Sequence, residues 1–210
     1  MTLTKKQLAN NLLEEIIKLF PAAKTELANW STDFQFLLCI ILSAQTTDKQ
    51  VNTVTEQLFA KFPTPEKLSR ANQEDVEALV SGINYYKTKA KNIIKTAKTI
   101  VEEYNGEVPR TIEELVKLPG VGYKTANVFL NDMYQSNQGI AVDTHVKRIA
   151  KAYGLTKEED PTKIAHDLEK LYPKEKWYLV NTNFVLYGRY IFKAKKPDTE
   201  RFVLKEYIVL

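Results

Sequence analysis

Apolar residues recur at helical spacing along most of this chain: Leu8, Leu12, Ile16 and Leu19 first, then Val51, Val54 and Leu58. Positions three and four apart share one face of a helix, so each series predicts an amphipathic helix with its apolar stripe turned to a core. The stretch from Phe34 to Ala44 is apolar on nearly every side and predicts a helix buried all round. It falls well short of the ~20 residues that a membrane span needs. Alternating strand patterns bounded by turn pairs are scarce. Breakers in FPTPEKL, SGINYYK, NGEVPRTIEEL, LPGVGYK, NQGIAVDTH, KEEDPTK and YPKEKW divide the rest into short segments. The pattern predicts an all-α fold of about nine to eleven helices, with connections of roughly two to eight residues.

No low-complexity segment, Gly/Ser linker or repeat of fixed period interrupts the chain. A seam between two lobes falls near Gln135 to Gly139, which gives one domain over 26–136 and a second built from 1–25 plus 137–210. The N-terminal helix, too short to hold itself, is expected to fold back on the C-terminal lobe. With 210 residues, 44% hydrophobic and 27% charged, the chain is long and apolar enough to bury a core, which excludes the disordered and fibrous classes. Its formal charge of +4 and pI near 8.9 suit a nucleic-acid binder without singling one out. Lysines cluster from Tyr86 to Lys98 and from Lys193 to Lys196, and these are either phosphate-facing patches or solvated helix faces. Cys39, alone of its kind and set in an apolar run, is expected to be a buried, inert thiol, so no disulfide framework or cysteine metal cluster can form. The first residues carry no cleavable signal pattern, and a cytoplasmic protein is expected.

Candidate chemistry centres on LPGVGYKTANVFL, residues 118 to 130. Upstream, Thr111 with Glu114 three residues on forms a capping-box pattern that starts one short helix; Tyr123 starts the next. Between them Gly120 and Gly122 permit positive φ and leave backbone N–H groups bare, an anion site suited to a DNA phosphate. An ordinary helical hairpin with a glycine cap is the bland alternative. The full run is more specific. With NGEVP (Asn105 to Pro109), KTANVFLN (Lys124 to Asn131), IAVDTHVKR (Ile140 to Arg148), GRY (Gly188 to Tyr190) and LLSAQTTD-like ILSAQTTD upstream, it resembles the helix-hairpin-helix base-excision DNA glycosylases, and among them the endonuclease III family. The likeness covers nearly the whole chain, in order.

That resemblance implies a two-lobed helix-hairpin-helix glycosylase fold, with a helical barrel domain over 26–136 carrying the hairpin and the active site in the cleft between lobes. It implies a monomer acting on double-stranded DNA that contains a damaged base or an abasic site, in the cytoplasm at the nucleoid. Lys124 corresponds to the family's nucleophile, which displaces the base, forms a Schiff base and cleaves the strand by β-elimination. A cation in the first helical turn is disfavoured by the helix dipole, and the same field favours the neutral, nucleophilic amine. Asp143, nineteen positions on, reads as the N-cap of a helix and corresponds to the family's catalytic carboxylate, which stabilises developing positive charge. His145 is either a further groove contact or, as such lone histidines more often are, a structural hydrogen-bonding group. An enzyme of this kind must extrude the nucleotide and fill the gap. Gln45 matches the family's intercalating glutamine; Tyr85 falls where leucine is usual, with Asn84 in place of glycine and Tyr86 as the neighbouring alternative. The implied activity is a bifunctional DNA glycosylase and AP lyase for oxidised pyrimidines. A mismatch-specific thymine or uracil glycosylase, or a non-catalytic hairpin module that only grips DNA, are the alternatives.

The chain departs from the family at its end. The family carries four cysteines spaced C-x6-C-x2-C-x5-C around a [4Fe–4S] cluster just after GRY. In the same register this chain has Phe192, Thr199, Phe202 and Ile208, none able to ligate iron, so no cluster is expected. An apolar plug is expected in its place, followed by a short helix over Val203 to Ile208 capped by Thr199. Lys195 and Lys196 persist between the first two positions and are expected to meet phosphate.

Overall fold

The computed structural model describes residues 3–209. Among them every regular element is helical, in the order α1 (Lys5–Leu19), α2 (Asp33–Ser43), α3 (Asp48–Lys61), α4 (Pro65–Ser69), α5 (Gln73–Leu79), α6 (Tyr86–Glu103), α7 (Ile112–Leu115), α8 (Tyr123–Tyr134), α9 (Thr144–Ala152), α10 (Pro161–Leu171) and α11 (Trp177–Tyr190), with 3-10 turns at Lys174–Lys176, Thr199–Arg201 and Lys205–Tyr207. No helix among these residues is long and apolar enough to cross a membrane.

The helices start where their caps stand. Thr4, Thr32, Thr47, Thr64, Asn72, Thr111, Asp143 and Asp160 each turn a side-chain oxygen onto an amide two or three residues on. An oxygen there satisfies one of the four donors that every helix start leaves unpaired, worth typically ~1 kcal/mol. Pro65 and Pro161 occupy the first helical position, where a missing N–H is no loss.

The chain divides into two compact units, Glu26–Met133 and Met1–Thr25 with Tyr134–Leu210. In the first, α2 is buried along its whole middle, Phe34 through Leu42; α3 and α6 pack against it, and α5 packs against both α3 and α6. Cys39 lies inside this helix, and burial pushes its thiol up to about 12, which keeps it protonated and inert. In the second, α1 lays Leu8, Leu12, Leu13 and Ile16 against α10 and α11, so the N-terminal helix does return to the C-terminal part of the chain. Gly188 of the GRY tripeptide lets α11 approach α9: a Cβ there would stand 2.8 Å from His145 Nδ1 and 2.9 Å from His145 Cβ.

Candidate functional site

The hairpin is built by short-range bonds. Thr111 Oγ1 accepts the Glu114 amide at 3.3 Å and donates to Glu114 Oε2 at 2.9 Å, fixing the start of α7. After α7, Leu118 N bonds Leu115 O at 3.0 Å and Val121 N bonds Leu118 O at 3.1 Å; Ala126 N then bonds Gly122 O at 3.0 Å to open α8. From α6, Thr96 Oγ1 donates to Pro119 O at 2.7 Å and ties the turn to the core of its unit. The two glycines differ. Gly120 has φ +82° and would push a Cβ to 3.1 Å from Asn92 Nδ2 and 3.3 Å from Ile41, so both conformation and space demand glycine. Gly122, which could also take positive φ, does not, and an added Cβ would meet open space. What Gly122 provides is a bare, exposed backbone at the head of α8.

Lys124 stands exposed at the second position of α8, one residue past Tyr123. A carboxylate that sequence reasoning had not singled out lies within its electrostatic reach: Asp48, half-buried at the first position of α3. Burial pushes the Asp48 carboxyl above its ordinary range, and the Lys124 charge pulls it partly back. The signal available was the aspartate of SAQTTD, far from Lys124 in the chain and so invisible to any spacing argument.

Gln45 and Tyr85 belong to the same unit. Gln45, exposed in the loop from α2 to α3, has φ +53°, and Tyr85, 66% exposed just before α6, has φ +57°. Their loops are joined: Asn84 Nδ2 donates to Gln45 O at 2.7 Å. Of the two tyrosines weighed at this position, Tyr85 projects and Tyr86 is half-buried in the first turn of α6.

Asp143 caps α9. Its Oδ1 accepts the amides of His145 at 2.8 Å and Val146 at 2.9 Å, so the cap uses one carboxylate oxygen. Behind it, Arg148 Nη2 lies 3.0 Å from His145 Nδ1 and donates to the carbonyls of Gly188 and Phe192. An arginine can only donate, so in this contact Nδ1 is the acceptor. His145 thus has a structural bond, on the packed side of α9. Partial burial lowers the Arg148 guanidinium, and the Asp143 charge opposes that shift.

At the chain end, Phe192 is buried and Phe202 stacks on it with ring centroids 4.4 Å apart. Phe202 and Ile208 are only half-buried, and Thr199 is exposed. A cavity of about 540 Å³ opens beside Phe192, Thr199, Phe202 and Val209, so the expected plug is sealed at one of the four positions and partly open at the others. The expected helix over Val203 to Ile208 is instead broken by Leu204 in a left-handed conformation and followed by a 3-10 turn, and Thr199 lies inside a 3-10 turn with Asp198 at its cap position. Hydrogen bonds hold this segment. Tyr153 OH donates to Val203 O at 2.5 Å, Tyr187 OH accepts the Val203 amide at 3.1 Å, and Val209 N bonds Ala152 O at 2.7 Å. Lys195 and Lys196 are exposed on the loop that Asp198 N closes onto Ile191 O at 3.0 Å. The donor set does not fit an iron–sulfur cluster, which needs thiolates: the one cysteine is in α2, and among the described residues no group of three or more His, Cys, Asp or Glu side chains is placed to hold a metal.

Comparison with known proteins agrees with this geometry. Residues 38–174 match the model of the HhH-GPD superfamily of base excision DNA repair proteins. Endonuclease III of Synechocystis sp. is 42% identical over 194 residues, covering 92% of this chain and 88% of that protein. Endonuclease III of Bacillus subtilis is 42% identical over 186 residues, covering 88% and 84%. The solved structure of a trapped endonuclease III–DNA covalent intermediate superposes with a TM-score of 0.91 at 39% identity, covering 99% of this chain and 96% of that one. The chain therefore belongs to the HhH-GPD superfamily of base excision DNA repair proteins, and within it to the endonuclease III family.

Proposed function

We propose that this base-excision repair DNA glycosylase and AP lyase removes oxidised pyrimidines from double-stranded DNA, as a monomer at the nucleoid, with Lys124 as its nucleophile. The observation that carries this reading is an exposed primary amine two residues from the bare amide of Gly122, at the head of α8. The helix start supplies a phosphate site, and the amine beside it meets the sugar. Neutral Lys124 Nζ attacks C1′, the bond from C1′ to the base breaks, and the base leaves with the proton the amine gives up. As the C1′–O4′ bond opens, O4′ takes up a proton and an iminium is left between Nζ and C1′. That electron sink acidifies C2′; loss of a C2′ proton breaks the C3′–O3′ bond and expels the phosphate, and water then releases the unsaturated sugar aldehyde from Lys124.

Asp143 is assigned the negative charge that stabilises the oxocarbenium-like transition state, with the oxygen its cap leaves over. Asp48, whose carboxyl responds to the Lys124 charge, is assigned the proton that Lys124 sheds before attack, and returns it to O4′ as the ring opens, while the proton shed after attack leaves with the base. Gln45 and Tyr85 fill the gap left by the extruded nucleotide; Gly120 and Gly122 in one unit, and Lys195 and Lys196 in the other, are each assigned phosphate contacts. No cofactor takes part, and the protein folds without an iron–sulfur cluster.

Incubation with abasic-site and thymine-glycol duplexes, with and without borohydride, tests the reading. A trapped protein–DNA adduct is expected with both. In Lys124→Ala it should vanish, with strand cleavage down by on the order of 10³-fold or more. An undiminished adduct in that variant overturns the assignment of Lys124; preferential release of a mismatched thymine or uracil overturns the lesion class. Asp143→Asn should slow base release by about 10²–10³-fold with DNA affinity and melting temperature nearly unchanged, because asparagine caps a helix about as well as aspartate. Full activity in that variant would remove Asp143 from the chemistry.

A further inference from the structure

Of the five lysines of α6, Lys87, Lys91, Lys95 and Lys98 are exposed and Lys89 is not. Lys89 is 5% exposed, and its ammonium donates to Leu42 O at 2.8 Å, to Ala44 O at 2.7 Å and to Thr46 Oγ1 at 2.8 Å. An ammonium has three N–H donors, so all three are spent on the end of α2 and the loop that follows it. The carbonyls of Leu42 and Ala44 lie at the C-terminal end of α2, where a helix leaves carbonyls unpaired and its dipole favours a cation. Burial lowers the amine's affinity for its proton, so the charge is kept there at a cost.

Between Ala44 and Thr46 stands Gln45. Its backbone is left-handed, its side chain is exposed, and its carbonyl takes the Asn84 amide at 2.7 Å. The residue after Asn84 is Tyr85, also left-handed, with a two-thirds exposed ring and no side-chain cap bond. Left-handed backbone in non-glycine residues persists only where the surroundings over-determine it, and such sites are often functional. Here the surroundings are Lys89 on one side of Gln45 and Asn84 on the other. Two strained, exposed side chains from loops far apart in sequence are thereby tied together. A side chain that fills a vacated base stack binds better when it is ordered beforehand, because less freedom is lost on insertion.

We propose that Lys89 and Asn84 are positioning residues that fix the Gln45 and Tyr85 backbones, so that both side chains enter the duplex as one preset wedge. The inference rests on the gap-filling step of the proposed function and adds the residues that make the wedge rigid. Asn84→Asp keeps the shape and loses the donor; because Asn84 is exposed, the variant is expected to fold. Lys89→Met removes the other anchor.

The experiment measures single-turnover cleavage at an abasic site in duplex and in single-stranded DNA, where no stack needs filling. 2-Aminopurine opposite the duplex abasic site reports insertion by its fluorescence, and Tyr85→Ala sets the value for no wedge. Asn84→Asp is expected to lose tenfold or more in rate on the duplex and less than twofold on the single strand, and to move the fluorescence at least halfway to that of Tyr85→Ala. Lys89→Met, if it keeps the wild-type melting temperature, should do the same. Equal losses on both substrates, or an Asn84→Asp fluorescence equal to wild type, overturns the proposal. An abasic site needs no particular damaged base, so failure to release thymine glycol would count against the lesion class and leave this test standing.

Discussion

The hairpin from Thr111 to α8 and the segment from Phe192 to Val209 are both loop-rich, yet they are ordered by opposite means. The hairpin is held mainly by partners three or four residues away: Thr111 with Glu114, Leu115 with Leu118, Leu118 with Val121 and Gly122 with Ala126. The terminal segment is held by partners far along the chain, with Tyr153 and Tyr187 on Val203, Ala152 on Val209, and Arg148 on Phe192. Short loops close at little entropic cost and form on their own; long ones need a prebuilt surface to close against. The difference teaches how local and distant partners divide the work of ordering a loop. In the hairpin each residue serves its neighbours and the candidate chemistry at once. At the chain end, the segment that carries Phe192, Thr199, Phe202 and Ile208 takes its anchoring from distant groups.

The largest effect that would break this comparison lies at Phe192. It is buried against Tyr153, Tyr187 and Phe202, and its carbonyl takes two bonds from Arg148. Phe192→Ala should cost about 3–5 kcal/mol, read from denaturant unfolding, and should free the tail to proteolysis. Phe202→Ala, at a half-buried position beside the open cavity, should cost only about 1–2 kcal/mol. Equal losses would mean that the two rings form one sealed plug after all.

The same contrast explains what could be read in advance. Helix starts at Thr111 and Asp143 were legible because a cap and its amide lie within three residues, and the all-α class followed from the spacing of apolar positions. Lys89 was not, since in sequence it is one more lysine in a basic row and only the packing of α6 against the end of α2 shows it turned inward. Asp48 beside Lys124, and the tyrosine pair on Val203, are encounters between distant residues and carry no spacing signal. Gly122 misled in the other direction. Two glycines one residue apart suggest two unusual conformations, but only Gly120 has one, and Gly122 serves by leaving space open.

A smaller effect sharpens the hairpin side. Gly120→Ala forces a side chain into a left-handed position and against Asn92, which should cost about 1–3 kcal/mol of stability. Gly122→Ala should change stability by less than about 0.5 kcal/mol, since its Cβ meets nothing. If a phosphate approaches the Gly122 amide, the variant keeps that donor but sets a Cβ against the phosphate, and should lose roughly 1 kcal/mol of DNA affinity in a titration at fixed salt. A stability loss at Gly122 matching that at Gly120 would show a packing role the open space does not suggest.

The smallest expected effect is none, and it bears on the terminal segment most directly. If hydrogen bonds and stacked rings have replaced metal ligation there, removing metal has nothing to act on. Burial pushes the Tyr153 hydroxyl well above the ordinary tyrosine range, which favours the protonated form that donates to Val203. The Tyr187 hydroxyl, likewise raised by burial, accepts the Val203 amide, and the Val209 amide is taken by Ala152. Each such bond contributes about 0.5–1.5 kcal/mol, and none depends on a ligand whose loss would shift the folding equilibrium. Purified protein should be colourless and free of iron by elemental analysis. Prolonged incubation with a strong chelator should move its melting temperature by less than about 1 °C and leave abasic-site cleavage unchanged. Visible absorbance that bleaches with chelator, together with a falling melting temperature, would show that this chain end is held by a metal site outside the four positions, and the contrast between the two regions would collapse.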